Sequence, residues 1–378
     1  MRVDHVAPHF YPEIGGLESQ VLRLSEFLVE RGHEVVVHTS RVSTRGGVLP
    51  ERGTIGKIEI RRYEPLVRLG YYATLFHPQV SGAQLVHLHG YAHLSNDWTA
   101  RRIEGVIPSV YSLHHGVAQP PPTLSSRLKR GVYDPLVGLR TLRRMSAIVS
   151  ASEADRRWLD ARGFRGNVHV IPTGLDDLSF APGSPERAHE RVGIDRYVLF
   201  LGRLHREKSA HDLLRAVASI RGSPVSVVLA GPDAGDQARL VSLASSLGLG
   251  GRPKFTGEVD EVTKRDLLAG CEALILPSFY EAQGIAILEA WAQSRPVVAS
   301  RVGGVSYLVE EGRDGLLYPW GDVSSLCRQI ERILADPAAA RSMGERGREK
   351  AWAEFRWKNL APRFLEVYDG VTRGSARA

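Results

Sequence analysis

Two glutamates eight residues apart stand where a buried-strand pattern changes into a helical one. Residues 277–290 read PSFYEAQGIAILEA, with Glu281 just before the predicted helix and Glu289 within it. An unpaired carboxylate in so apolar a segment is costly, so Glu289 needs partners. A ribose with two vicinal hydroxyls would satisfy it; the alternative is an ion pair within the core. At the helix start, backbone N–H groups would face a phosphate or sugar oxygen, and they belong to Gly284, Ile285 and Ala286.

Two cations follow another predicted strand. Residues 202–208 read GRLHREK and come directly after an apolar run. Arg203 and Lys208 are five residues apart on a loop above a strand end. They would clamp a diphosphate, Arg203 as a planar fork and Lys208 as a point charge. Each charge-assisted hydrogen bond contributes about 1.5–3 kcal/mol. The alternative is a charged loop that faces only solvent.

Adjacent glycines stand after the first predicted strand. Residues 11–17 read YPEIGGL, and Gly15 and Gly16 open a predicted helix. Glycines let a ligand approach the backbone closely, and a helix start presents N–H groups to an anion. The pattern is neither a dinucleotide-binding fingerprint nor a P-loop. A turn that serves only chain geometry is the alternative.

Strand-like runs alternate with helical patterns along the whole chain, which predicts parallel sheets covered by helices. The predicted strands are residues 3–7, 34–39, 85–89, 109–113, 147–150 and 168–171, then 197–202, 225–231, 253–256, 273–277 and 296–300. The predicted helices include residues 17–31, 323–335, 337–354 and 359–371. Residues 41–53 are predicted to form a loop. Residues 176–195, rich in Gly, Pro, Ser and charge, are predicted to be a domain linker.

The composition is that of a globular protein with an excess of positive charge. The chain has 378 residues, which suggests two or three domains of roughly 150 residues. Its net charge of +7 suits anionic partners, but no nucleic-acid-binding signature accompanies it. Cys271 and Cys327 have no ligand-spaced neighbours, so we expect neither a zinc site nor disulfides, and a reducing cytosolic compartment. We expect no signal peptide, because the first strand begins near residue 2, and no membrane-spanning helix.

Together these segments resemble glycosyltransferase family 4, the retaining enzymes of GT-B fold, also called group 1 glycosyl transferases. The family pattern of E, seven residues and E corresponds to Glu281 and Glu289. The resemblance also covers Gly15-Gly16, PSVYSLH at 108–114, VIPTG at 170–174, Gly202-Arg203 with Lys208, PVVAS at 296–300 with Gly303-Gly304, and DGLL at 314–317. It spans nearly the whole chain in the right order.

The resemblance implies an α/β protein of GT-B fold, with two Rossmann-like domains whose parallel sheets face across a central cleft. Residues 1–180 would be the acceptor domain, rejoined by a C-terminal helix at about 357–373. Residues 193–356 would be the nucleotide-sugar donor domain. The implied activity is that of a retaining hexosyltransferase that moves a sugar from a UDP- or GDP-linked donor to a glycan, lipid-linked or small-molecule acceptor.

The resemblance also assigns roles to single residues. Arg203 and Lys208 match the pair that holds the donor diphosphate, and Glu289 matches the carboxylate on the nucleotide ribose. Glu281 matches the acidic residue beside the transferred sugar. His114 matches the histidine that reaches the donor sugar from the first domain. The glycine near the diphosphate and the acceptor is matched by Gly16.

Three positions depart from the family pattern. Gln283 replaces an aromatic residue, and Thr173 replaces an asparagine. Position 115 is a second histidine, so either His114 or His115 faces the sugar. Strand alternation favours His114, because it is in phase with residues 110 and 112.

The expected chemistry needs neither a metal nor a cofactor. Arg203, Lys208 and the amides near residues 284–286 would stabilise the charge on the departing diphosphate. No D-x-D pair stands in a suitable loop, so we expect no required cation. No carboxylate is placed as a nucleophile, which favours a same-face displacement in which the departing phosphate helps to deprotonate the acceptor.

Basic residues of the first half suggest contact with an anionic membrane, at the inner face of which a cytoplasmic enzyme would meet a lipid-linked acceptor. They are Arg61, Arg62 and Arg68, which lie among aromatic residues, and Arg127, Lys129, Arg130, Arg140, Arg143 and Arg144. A solvated basic face is the alternative. Two other functions share the donor site: a nucleotide-sugar epimerase of GT-B fold, and a non-catalytic nucleotide-sugar binding protein.

Overall fold

The computed structural model describes residues 1–13, 15–43, 47–69, 73–114, 116–120, 124–164, 167–220 and 225–375. The chain forms two compact units. Unit 1 is Met1–Pro172 with Ala361–Ala378, and unit 2 is Thr173–Leu360. The first boundary therefore falls at Pro172 rather than at residue 180.

The predicted linker at residues 176–195 is wrong. It contains a 3-10 turn, Asp177–Phe180, and a helix, Pro185–Val192, both in unit 2. The residues that suggested a linker begin and end this helix. Ser184 caps its start, Pro185 occupies its first turn, and Gly193 ends it in a left-handed conformation.

Unit 1 contains ten strands and five helices along its first segment, within the described residues. The strands are β1 (Arg2–Val6), β2 (Glu34–Ser40), β3 (Arg52–Ile55), β4 (Ile58–Tyr63), β5 (Val67–Leu69), β6 (Ala73–Leu75), β7 (Leu85–His89), β8 (Ser109–Ser112), β9 (Ala147–Ser150) and β10 (Val168–Val170). The helices are α1 (Gly16–Glu30), α2 (Leu94–Ile103), α3 (Leu124–Tyr133), α4 (Leu139–Arg143) and α5 (Glu153–Asp160). A π-helical turn, Asp134–Gly138, joins α3 to α4.

The main sheet of unit 1 has the order β10-β9-β8-β7-β1-β2-β4-β3. Its pairs are parallel except that of β3 with β4, and β5 and β6 form a separate antiparallel pair. The strands predicted in this half are present, but β3 to β6 were missed, and the predicted loop at 41–53 ends inside β3. These strands are short or partly exposed, whereas the prediction relied on the continuous apolar runs of buried parallel strands.

Unit 2 contains a six-stranded, all-parallel sheet in the order β13-β12-β11-β14-β15-β16. The strands are β11 (Tyr197–Leu201), β12 (Ser226–Ala230), β13 (Pro253–Gly257), β14 (Leu274–Leu276), β15 (Val297–Ser300) and β16 (Leu316–Tyr318), of which β16 was not predicted. The helices are α6 (Pro185–Val192), α7 (Ala210–Ser219), α8 (Gln237–Ser246), α9 (Glu261–Gly270), α10 (Ile285–Ala292), α11 (Val305–Leu308), α12 (Val323–Ala335), α13 (Pro337–Glu354) and α14 (Trp357–Ser375).

Helices cover both faces of the sheet in unit 2. Leu199 and Leu201 of β11 belong to one hydrophobic cluster, and Val198 and Phe200 belong to the other. This is why β11 is apolar throughout rather than alternating. The strand order reverses between β11 and β14, and in such sheets ligands bind where the order reverses, beyond the carboxyl ends of the strands.

The last helix belongs to both units. α14 begins at Trp357, and from Ala361 onward it is part of unit 1. There Arg363 donates to the carbonyl of Val170, and the Tyr368 hydroxyl lies 2.6 Å from Nδ1 of His87. Among the helices described, none has the length and apolar character needed to cross a membrane.

Candidate active site

The loops after β11 and β14 meet at the strand-order reversal of unit 2. The amide of Phe279 donates to the carbonyl of Glu207 at 2.8 Å, which ties the two loops together. Nζ of Lys208 lies 2.6 Å from Oε1 of Glu281, and the Ser278 hydroxyl donates to the same oxygen at 2.7 Å. The structure thus brings together two residues that the sequence singled out separately.

Arg203 lies on the same loop after β11 and is exposed. Within the described residues, its guanidinium makes no hydrogen bond or ion pair, in contrast to Lys208. A guanidinium presents several donors in a planar fork that matches phosphate oxygens. Arg203 can therefore bind an anion without first breaking a contact inside the protein.

Glu289 has a partner that the sequence analysis did not identify. Nζ of Lys264, on α9, lies 2.6 Å from its Oε1 and 2.8 Å from Oε1 of Glu261. Burial opposes the charge on Lys264, but the two glutamates raise its pKa above the ordinary value. An ion pair, one of the two alternatives for Glu289, is therefore present, and the ribose contact stays a prediction. Lys264 was missed because it lies 25 residues earlier, on a helix that reads as a polar surface.

Gly284 shapes the start of α10. Its φ of 90° and ψ of 60° are left-handed, and a side chain there would press on Ile287 and Val305 at 3.1 and 3.3 Å. No side chain caps the helix at this position. The first amides of a helix have no partner within it, so those of Ile285 and Ala286 are the donors that this turn offers.

Gly303 and Gly304 support the backbone of the Glu281 loop from the loop after β15. The amide of Gly304 donates to the carbonyl of Glu281 at 2.9 Å. A Cβ at Gly303 would collide with that carbonyl, and one at Gly304 would collide with the carbonyl of Ala282. Only glycines permit this approach, which fixes the backbone that carries Glu281.

Two of the departures from the family pattern contact each other. Oε1 of Gln283 accepts from the amide of Thr173 at 2.6 Å, and Nε2 donates to the carbonyl of Thr173 at 2.9 Å. The buried amide side chain thereby pairs with the backbone of unit 2 at its first residue. An aromatic ring at position 283 could not make these bonds, so Gln283 has a structural function here.

Gly16 begins α1 in unit 1, and Gly15 precedes it with an extended backbone. A carboxylate already lies at this helix start, because a Cβ at Gly15 would collide with Oε2 of Glu18. Glu18 is buried and stands in the first turn, where a negative charge is favourable. The glycine pattern predicted an anion site at this helix start, where the structure instead places the carboxylate of Glu18.

His114 follows β8 in a left-handed conformation, with a φ of 55°. Because β8 ends at Ser112, the strand alternation used to choose between His114 and His115 does not extend to these residues. Nε2 of His114 lies 2.8 Å from Nδ1 of His89, whose Nε2 lies 2.8 Å from Nδ1 of His5. His115 lies outside the described residues.

Three buried histidines, His5, His87 and His89, lie on β1 and β7. Each offers one nitrogen within 4.8 Å of the others, so they are the residues of the described chain that could hold a metal. Hydrogen bonds already engage five of their six ring nitrogens, including those of His87 to Tyr368 and Ser112. Burial lowers the pKa of His5 to about 3 and those of His87 and His89 well below 6.5. The rings are therefore neutral near pH 7.

Residues 14–177 match the family model described as Glycosyltransferase Family 4, and residues 186–350 match that of Glycosyl transferases group 1. The chain belongs to glycosyltransferase family 4. D-inositol 3-phosphate glycosyltransferase 2 of Catenulispora acidiphila is 28% identical over 96% of this chain and 92% of its own. Sucrose-phosphate synthase from Thermosynechococcus elongatus has a TM-score of 0.79 at 23% identity, with 99% of each chain covered. Anabaena Alr3699/HepE, solved in complex with UDP, has a TM-score of 0.78 at 20% identity, with 98% of this chain and 100% of that chain covered.

The predicted family and the GT-B fold are thus confirmed, and the protein is a glycosyltransferase. The group 1 match contains Arg203, Lys208, Glu281 and Glu289. The family 4 match contains Gly16 and His114. The two matches fall almost entirely within unit 2 and unit 1 respectively.

The basic surface of this glycosyltransferase is smaller than the sequence suggests. Arg62 is buried and donates to backbone carbonyls, and Arg61 pairs with Glu59 at 2.7 Å. Arg130 and Arg144 pair with Asp134 and Glu104 respectively. Residues 70–72 lie outside the described residues. Three of the nine expected cations are therefore paired with carboxylates, and a fourth is buried.

An exposed apolar stripe lies beside the remaining cations. Leu128 and Val132 of α3 are 66% and 59% exposed, and Leu136 of the π-helical turn is 51% exposed. They recur every four residues, so they share one side of this helical stretch. The four-residue spacing of these apolar residues is visible in the sequence, but only the charges of the segment were used for the prediction.

Proposed function

We propose that this glycosyltransferase takes its sugar from a nucleoside diphosphate-sugar, which unit 2 holds. The Lys208–Glu281 pair carries this proposal, with Nζ and Oε1 2.6 Å apart at the reversal of strand order. In such a donor, a phosphate oxygen is bonded directly to the anomeric carbon. A cation for the phosphate and a carboxylate for the sugar, in contact with each other, match the two sides of that bond.

The other donor contacts follow from the same loops. Arg203 and the amides of Ile285 and Ala286 bind the diphosphate. Glu289, oriented by Lys264, accepts from the ribose hydroxyls. Gly16 and His114 take the roles that the family resemblance implies, near the diphosphate and at the sugar. Because HepE was solved with UDP and with UDP-glucose, we favour a uridine nucleotide over a guanosine nucleotide.

We also propose that transfer retains the anomeric configuration and needs no metal. The bond between the anomeric carbon and the phosphate oxygen breaks, and the diphosphate leaves with the electron pair. The acceptor oxygen bonds to the same face of the sugar, and its proton passes to the departing phosphate oxygen. Arg203, Lys208 and the amides at the start of α10 stabilise the charge that develops. The acceptor is a glycan, a lipid-linked sugar or a small molecule.

A product analysis tests these statements. UDP-, GDP- and ADP-sugars are incubated with candidate acceptors in EDTA, nucleoside diphosphate release is measured, and the product is examined by NMR. We expect release without added metal and a product of retained configuration. An inverted product, or activity that returns only with a divalent cation, would contradict the proposal. A sugar isomerised with donor alone would indicate an epimerase.

Lys208 provides the matched variant for this assay. We expect Lys208→Ala to lower kcat by about a hundredfold or more, because a charge contact to the leaving group is lost. Lys254→Ala, which removes an exposed lysine of the same unit, should leave kcat unchanged. Equal turnover of both variants would refute the role of Lys208.

We infer further that unit 1 contacts an anionic membrane through the stripe of Leu128, Val132 and Leu136. The exposed cations Arg127, Lys129 and Arg140 lie in the same helical stretch. Apolar residues flanked by cations are the pattern of helices that lie in the lipid interface. This contact would hold a cytoplasmic enzyme at the inner face of the membrane, beside a lipid-linked acceptor.

Vesicle sedimentation tests the membrane contact. The protein should sediment with phosphatidylglycerol vesicles and much less with phosphatidylcholine vesicles. The double variant Leu128→Asp/Val132→Asp should stay in the supernatant, whereas Leu178→Asp, at an exposed leucine of unit 2, should sediment like the wild type. Sedimentation that is unaffected by the double variant would refute the role of the stripe.

A further inference from the structure

The histidine array, His5, His89 and His114, connects the buried sheet of unit 1 to the residue proposed to act at the sugar. We propose that His89 is a positioning residue that fixes the tautomer of His114, with His5 as its buried partner, so that His114 carries its proton on Nδ1. The consequence for turnover rests on the proposed function of His114. The geometry of the array stands without it.

The array behaves as a single unit because each ring has two nitrogens of opposite kind. A neutral imidazole has one N–H donor and one lone-pair acceptor. His5 Nδ1 and His89 Nε2 are 2.8 Å apart, and so are His89 Nδ1 and His114 Nε2. Each hydrogen bond needs one donor and one acceptor. Consequently all three rings carry the proton on Nδ1, or all three carry it on Nε2.

The three rings share one tautomer only if His5 and His89 stay neutral, and burial keeps them neutral. His5 is fully buried and His89 is 1% exposed, and desolvation holds the pKa of each ring below the ordinary histidine value. Neither ring takes up the second proton that would allow both nitrogens to donate. The neighbouring ring of His87 packs on His89, with centroids 3.9 Å apart, but Tyr368 and Ser112 hold its own nitrogens. His87 therefore does not alter the proton order of the array.

The buried end of the array selects between the two arrangements. Nε2 of His5 has no hydrogen-bond partner in the part of the chain that the structure describes. With protons on Nε2, this end would be a buried N–H without an acceptor. With protons on Nδ1, it is only an unused lone pair. Orphaned buried N–H groups are rarer than under-satisfied acceptors. His114 therefore accepts at Nε2 and presents an N–H at Nδ1.

The backbone of His114 supports a constrained ring. A left-handed conformation is strained at a residue other than glycine, and such strain persists where the surroundings determine the geometry. The bond to His89 is one of the contacts that determine it. A ring held in place, with a defined donor, suits recognition of a sugar hydroxyl oxygen.

Nitrogen NMR of the free protein tests the tautomer directly. In protein labelled with ¹⁵N-histidine, the His114 signals are identified by their loss in His114→Gln. We expect a protonated Nδ1 and a bare Nε2. His89→Leu should abolish this preference, because it removes the donor to Nε2 of His114. His5→Leu should keep it, because Nε2 of His89 then becomes the buried nitrogen without a partner and stays bare. His33→Gln, elsewhere in unit 1, should change nothing.

Several results would overturn the proposal. One is a wild-type His114 with its proton on Nε2. Another is an unchanged His114 tautomer in His89→Leu, or a lost preference in His5→Leu; if neither variant folds, the wild-type spectrum decides. A third is stoichiometric zinc in the purified protein, because the three buried histidines would then be ligands rather than a hydrogen-bonded array.

Kinetics separate positioning from a merely structural effect. We expect His89→Leu to lower kcat/KM about as far as His114→Gln does, by about tenfold or more. The double variant should fall little further, because the two residues act through one interaction. If the double variant loses kcat/KM by the product of the two single-variant factors, the two residues are not coupled and the proposal is refuted. If His114→Gln alone leaves kcat/KM unchanged, the proposed role of His114 in catalysis fails, while the NMR result still decides the array.

Discussion

Glu289 shows what spacing reveals about a single residue and what it leaves out. The E-x7-E pattern singled out both glutamates, which lie in the loop after β14 and in α10. It did not reveal Lys264, because that contact joins two helices whose sequence separation, 25 residues, carries no local signal. Nor could it show that Glu281 contacts Lys208 rather than solvent. Contacts that depend on where loops of different strands meet need the folded chain.

The Lys264–Glu289 pair predicts a loss of both stability and donor affinity when the lysine is removed. Lys264→Met leaves the largely buried carboxylate of Glu289 without its cation. The unfolding free energy should therefore fall by about 2 kcal/mol. Urea unfolding measures the stability, and calorimetry with the donor measures the affinity. Lys264→Met/Glu289→Leu should recover stability but not donor binding. If Lys264→Met alone is as stable as the wild type, the pair does not stabilise the protein.

At the level of elements, most of the parallel strands were predictable, whereas β3 to β6 and the short β16 were not. β11 is a continuous apolar run because helices cover both faces of its sheet. β3 reads RGTI and is half exposed, so its sequence does not distinguish it from a loop. The linker error at residues 176–195 has a related cause, since helix-capping residues and linker residues are the same types.

Gly304 gives a prediction at this level. Gly304→Ala would force a Cβ into the carbonyl of Ala282 and displace the loop that carries Glu281. We expect a loss of about 1–3 kcal/mol in unfolding free energy and weaker donor binding. Gly251→Ala is the matched control in unit 2, because open space surrounds that glycine. A fully stable Gly304→Ala with normal donor binding would show that the two loops do not support each other.

For the whole molecule, the buried histidines predict a loss of stability in mild acid. Their pKa values are lowered in the folded state, so below about pH 6.5 the unfolded chain binds protons that the folded chain does not. For His5, with a pKa of about 3, the resulting loss of unfolding free energy is about 2 kcal/mol at pH 5. His87 and His89 act in the same direction.

Two carboxylates oppose this trend, because burial raises the pKa of Asp97 to about 6 and also raises that of Glu26. The folded form of Asp97 gains a proton as the pH falls from 6 toward 3.8. These two groups do not outweigh the three histidines. Urea unfolding at pH 8, 7, 6 and 5 should therefore show a steady decline, and His5→Leu should make the decline shallower. A stability that is constant from pH 8 to pH 5 would contradict the neutral, buried state of these rings.

The proposed function requires that unit 2 binds a nucleoside diphosphate-sugar through Arg203 and its neighbouring loops. Isothermal titration calorimetry of UDP-, GDP- and ADP-sugars in EDTA, with wild type, Arg203→Ala and the adjacent exposed control Arg206→Ala, tests it most directly. We predict that one nucleotide class binds with 1:1 stoichiometry. Arg203→Ala should raise its Kd by about tenfold or more, and Arg206→Ala should leave it unchanged. Absence of binding by every donor, or equal binding by the two arginine variants, would contradict the account.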